Sequence, residues 1–159
     1  MQIRPNNIKV RVSSLQHIDH PAIIRLFYDI LADYCERFQV LPRQDPVKVY
    51  INFICQEEGD SMHGMVVYHR ENNDVYMIQV QDPFLQGMED NDYSRSHLIE
   101  CICHEIVHVC QQLTGRNGCS LRGLTINHES EVEKYLFDPI EIEARAMAGV
   151  YLTLYAGEL

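Results

Sequence analysis

Glu100-Cys101-Ile102-Cys103-His104-Glu105-Ile106-Val107-His108-Val109-Cys110-Gln111 stands at the centre of the stretch, Ser94 to Gly115, around which the rest of the chain is arranged. Side chains four apart share a helix face, so His104 and His108 offer two imidazoles to one ion. Neutral imidazole binds zinc at about 2.0–2.1 Å, and a catalytic zinc has three protein ligands with a position left for water. Glu105 stands about 100° further round the same turn, close enough to reach that water. Its expected role is general base, and Zn2+ is the expected cofactor.

A His-Glu-x-x-His match can arise by composition in a chain with eight histidines, so its setting matters. Here Leu98, Ile102, Val109 and Leu113, with Ile99, Ile106 and Cys110 beside them, recur at helical spacing and make an apolar face adjoining the histidines. Ser94 or Ser96 offers a start cap, and Gly115 a stop.

The 159 residues suit one domain over 1–159, long enough to bury a core without disulfide staples. A hydrophobic content of 46% with 23% charged residues is ordinary for a soluble globular chain, and no apolar run approaches the roughly 18 residues of a membrane span. The opening Met1-Gln2-Ile3-Arg4-Pro5 is not followed by a signal-peptide apolar region, so the expected compartment is the cytoplasm. A net charge of −10 with no Lys/Arg block repels polyanions and argues against nucleic acid as a partner. Of six cysteines, Cys101, Cys103 and Cys110 share one helix and cannot readily pair with one another; buried thiols are expected. Cys101, three residues before His104, could border a metal, though a packed thiol is its ordinary role.

Ile8, Val10 and Val12 alternate with Lys9 and Arg11 as a first strand. Asp19-His20-Pro21 opens a helix whose apolar stripe is Ile23, Phe27, Ile30, Leu31, Tyr34 and Phe38. Val47, Val49, Ile51, Phe53 and Cys55 form a second strand. Met65 to His69 and Val75 to Val80 read as a hairpin around Glu71-Asn72-Asn73-Asp74. Glu129 to Phe137 has a short helical look, and Pro139 starts a final helix from Ile140 to about Leu154. The expected fold is α+β: a small, mostly antiparallel sheet packed with an N-terminal helix, the His-Glu-x-x-His helix and a C-terminal helix bearing glutamates.

Three residues are candidates for the third ligand. Glu143 has Met147, Val150 and Leu154 at i+4, i+7 and i+11, placing its carboxylate in an apolar stripe where it needs a cation. His128 follows His108 by twenty positions at a loop-to-helix junction. Glu141 has Arg145 at i+4, whose ordinary reading is an exposed helix ion pair.

His104 to Gln111, followed downstream by Asp138-Pro139-Ile140-Glu141-Ile142-Glu143-Ala144-Arg145-Ala146-Met147-Ala148, resembles the small zincin metallopeptidases of bacteriophage and bacterial genomes. Within these the resemblance is to the ImmA/IrrE-type group, whose downstream Glu-Ala helix supplies the third ligand. It covers about a third of the chain. The resemblance implies a minimal zincin-like fold, His104, His108 and Glu143 as zinc ligands, Glu105 as base, and a peptide or protein substrate, in the cytoplasm or in that of a phage's host. Gln111 and Thr114 stand where a metzincin needs glycine and a third histidine, and Met147 where a thermolysin-like chain needs aspartate. A SprT-like pattern stays open through His128.

The implied reaction is peptide-bond hydrolysis by a zinc-activated water. Tyr135, His128 and Tyr151 are chemically able to steady an oxyanion. The rival reading is a zincin-shaped binding or structural protein, of a phage particle or host-takeover complex, with a non-catalytic metal. Glu105 argues against it, because a structural ion has no use for a base beside an open position. The motifs leave the oligomeric state undetermined.

Overall fold

In the computed structural model, residues 5–13, 19–54, 64–68, 75–81, 91–116, 137–155 and 157 are described. The order is β1 (Ile8–Ser13), α1 (His20–Phe38), β2 (Val47–Ile54), β3 (Gly64–Tyr68), β4 (Val75–Gln81), α2 (Asp92–Thr114) and α3 (Pro139–Tyr155). The architecture is α+β, with four strands ordered β1-β2-β4-β3.

The strand directions correct the mostly antiparallel expectation. β1 pairs β2 in parallel, β2 pairs β4 in parallel, and only β3 with β4 is antiparallel, with Val66 opposite Ile78. The reason is connectivity. α1 packs on one face of the sheet between β1 and β2, and a strand that returns through such a crossover runs the same way as its predecessor. The hairpin read from Met65 to His69 and Val75 to Val80 suggests an antiparallel sheet, and that pair, β3 with β4, is the antiparallel one. The sheet buries Ile8, Val47, Val49, Ile51, Phe53, Tyr76, Ile78 and Val80 toward the helices, while Lys9, Arg11 and Lys48 are exposed on the other face.

Local chemistry sets the helix limits. Asp19 caps α1, its side chain accepting from Ala22 N–H, with proline in the first turn. Asn91, rather than Ser94 or Ser96, caps α2: Asn91 Oδ1 accepts from Ser94 N–H at 2.9 Å, so the helix starts earlier than its serines suggest. Gly115 ends α2 at φ 65°, a left-handed turn that glycine adopts without steric penalty.

α2 is the central helix. Ile102, Cys103, Ile106, Val107, Val109, Cys110 and Leu113 are all buried, because the helix lies among the sheet, α1 and α3 rather than on a surface. Its core is continuous with Ile23, Phe27, Ile30 and Tyr34 of α1 and with Ala144, Ala148 and Tyr151 of α3. Cys35, Cys101, Cys103 and Cys110 are free thiols; Cys103 and Cys110 are buried, as expected, while Cys35 and Cys101 are half-buried. Cys55, Cys119, the 71–74 turn and residues 129–136 lie outside the described residues. Among the described residues no helix is long and apolar enough to cross a membrane.

Candidate metal centre

His104 and His108, one turn apart on α2, and Glu141, in the first turn of α3, bring one ligand atom each within 4.8 Å of the others. His108 Nε2 lies 2.8 Å from Glu141 Oε1, and His104 Nε2 lies 3.2 Å from Glu141 Oε2. The two Nε2 atoms are 3.1 Å apart. All three side chains are largely withdrawn from solvent, at 18%, 15% and 7% exposure.

These spacings bear on what the group can hold. A tetrahedral zinc with bonds near 2.0–2.1 Å sets its ligand atoms about 3.3 Å apart. The cluster is close to that. It is also poorly satisfied by its own protons: two facing imidazole nitrogens share at most one proton, and the buried Glu141 Oε2, though 3.2 Å from His104 Nε2, receives no well-aligned hydrogen bond. A buried acceptor left this way costs about 1–3 kcal/mol, more when charged. A divalent cation at the common point answers all three lone pairs, so the residues present fit a metal.

Glu143, the favoured third ligand in the sequence reading, is engaged elsewhere. Its Oε1 accepts from Arg116 Nε at 2.6 Å, and its Oε2 accepts from Gln111 Nε2 at 2.9 Å and Tyr34 Oη at 3.2 Å. Glu141 occupies the place beside the imidazoles. The correction is one of helix phase. The buried side of α3 runs through Glu141, Ala144, Met147, Ala148 and Tyr151, whereas Leu154, expected in the stripe, is 54% exposed. Two alanines one turn apart let α3 approach α2 closely, and an apolar count that weighs large side chains overlooks them. The spacing Glu141, Ala144, Ala148 was the available signal.

Glu105 is buried, beside the two histidines in sequence. Burial pushes its carboxyl up, and Glu141 adds to this, while His108 and His104 oppose it; the balance is upward. Burial pushes Glu141 the same way, but contact with His104 and His108 outweighs it and holds the group well below the usual carboxylate range. For His108, burial lowers the pKa, yet contact with Glu141 and the charge of Glu105 prevail and raise it.

Tyr151 is fully buried and donates to Asp33 Oδ2 at 2.8 Å, a packing role on α1 rather than one at the metal centre. Cys101 Sγ lies 3.8 Å from His97 Nε2 and is not among the three converging groups. His128 and Tyr135 lie outside the described residues, as do His63 and His69. No protein-family model, curated protein or solved structure matches this chain. The functional reading therefore stands on the residues themselves.

Proposed function

We propose that the chain is a zinc-dependent metallopeptidase of minimal zincin-like form, with His104, His108 and Glu141 holding the ion and Glu105 acting as general base. The observation that carries this reading is the convergence of two imidazoles and a carboxylate from separate helices, with Glu105 next to His104 in sequence and buried. His104 and His108 come from one face of α2, and Glu141 closes the set from α3. Three protein ligands leave a fourth position, as catalytic rather than structural zinc requires.

When bound, zinc polarises a carbonyl and lowers the pKa of a coordinated water to about 7. Glu105 is the residue that would take a proton from the attacking water and return it to the leaving amine. The upward direction of its shift makes Glu105 a stronger base than an ordinary carboxylate. Burial of Glu105 and Glu141 keeps bulk water from screening their charges.

The decisive experiment combines metal analysis with Glu105→Gln. The wild-type protein is expected to bind about one zinc per chain and to cleave members of a peptide library; Glu105→Gln should keep the zinc and lose cleavage. A wild type that binds zinc tightly, melts on its removal and cleaves nothing would instead mark a binding or structural protein.

A further inference from the structure

Gln111 is fully buried and lies one turn beyond His108, on the side away from the cluster's centre. Its amide has two N–H donors and one carbonyl acceptor. Gln111 Nε2 donates to the Ile140 carbonyl at 2.9 Å and to Glu143 Oε2 at 2.9 Å. Gln111 Oε1 lies 2.8 Å from His108 Nδ1. This orientation is dictated by chemistry. Turning the amide over would point its oxygen at a carbonyl and a carboxylate, two acceptors with nothing to donate. With its oxygen held toward His108, Gln111 can only accept and so favours a proton on Nδ1, against the competing acceptor Glu141 Oε1, 2.8 Å from Nε2.

Glu143 is itself held. Arg116 Nε donates to its Oε1, and the Arg116 guanidinium sits 3.8 Å above the Phe38 ring. Tyr34 Oη donates to Oε2 from α1. The anchor that orients Gln111 is therefore tied to all three helices.

We infer that Gln111, anchored by Ile140 and Glu143, is a positioning residue that fixes His108 in the tautomer a metal ligand needs, with the proton on Nδ1 and the lone pair on Nε2 facing His104 and Glu141. Outer partners of this kind orient a ligating imidazole and raise its basicity, and losing one weakens metal binding about 10- to 100-fold. The use made of the tautomer rests on the metal reading above; the tautomer does not.

The test has two readouts. Histidine-ring nitrogen NMR on chelator-treated protein, at a pH alkaline enough to leave His108 neutral, should find the proton on Nδ1. In Gln111→Met it should move to Nε2, where Glu141 accepts it. Zinc competition against a chromophoric chelator should show affinity falling about 10- to 100-fold in Gln111→Met. Glu143→Gln should fall by less in the same direction, and it carries the test if Gln111→Met does not fold. Wild-type His108 protonated on Nε2 would overturn the inference, as would a folded Gln111→Met that binds zinc like wild type. If wild type shows the Nδ1 proton but binds no zinc, the tautomer assignment holds and the metal reading falls.

Discussion

Glu141 Oε1 and His108 Nε2 stand 2.8 Å apart although they are 33 positions apart in the chain and belong to different helices. Glu143, two residues further on and about 200° round the helix, meets Arg116 instead. The two glutamates of one short segment therefore have different tasks. Replacing Glu141 by alanine should lower zinc affinity by more than the roughly 10- to 100-fold of losing an outer partner, because it deletes one of the three groups proposed to hold the ion. Glu143→Ala should retain a weaker site, with a loss of about 10- to 100-fold. Isothermal titration with zinc distinguishes the two; the reverse ranking would restore Glu143 as the ligand.

Zinc binding should weaken at a higher pH than a free imidazole would impose. His108 is raised above its ordinary value of 6.5, so in the absence of the ion it still holds a proton at pH values where free imidazole has lost it. Zinc must displace that proton, and affinity falls as pH drops through the raised value. A zinc affinity that stays level down to pH 6.5 would contradict this.

The core thiols give an alkaline limit to stability. Burial pushes Cys103 from 9.0 up to about 12, and burial with the charges of Glu105 and Glu100 pushes Cys101 to about 11. A folded pKa above the unfolded one means that the stabilising contribution is present below pH 9.0 and is lost as pH rises towards these folded values. For each such group the slope reaches about 1.4 kcal/mol per pH unit. Urea melts across this range should show falling stability, and Cys103→Ala should flatten the slope while lowering stability below pH 9.0.

Ala148 is buried on the side of α3 that faces the core, one turn beyond Ala144. Ala148→Leu should overpack the interface and cost about 1–3 kcal/mol. It should also weaken zinc binding without touching a ligand, because it displaces Glu141. Thermal melts with and without zinc separate the two effects: a variant that loses stability equally in both conditions would deny the coupling.

Tyr151→Phe should lower stability by about 1.5–3 kcal/mol, the worth of a hydrogen bond to a carboxylate such as Asp33. Peptide cleavage should be unaffected. A fall in kcat with KM unchanged would place this hydroxyl at the reaction after all.

Several features were legible before any coordinates because their causes are local. The period-3.6 apolar pattern and Gly115 marked α2; Asp19 and Pro21 marked the start of α1; the alternation in β1 and β2 marked strands with one buried face. The hairpin of β3 and β4 followed from turn chemistry between two short runs. Strand direction was less legible, since alternation reports which face is covered and not which way the neighbour runs. The strand–helix–strand order around α1 held that information.

By itself the sequence determined that two imidazoles would share a helix face with Glu105 beside them, because spacing of four residues on a helix is a property of backbone geometry. Only the tertiary structure decided which carboxylate joins them. That choice depends on how closely α3 can approach α2 and at what rotation, which the small side chains of Ala144 and Ala148 set through packing. The same docking leaves Glu143 to orient Gln111, and Gln111 to orient His108.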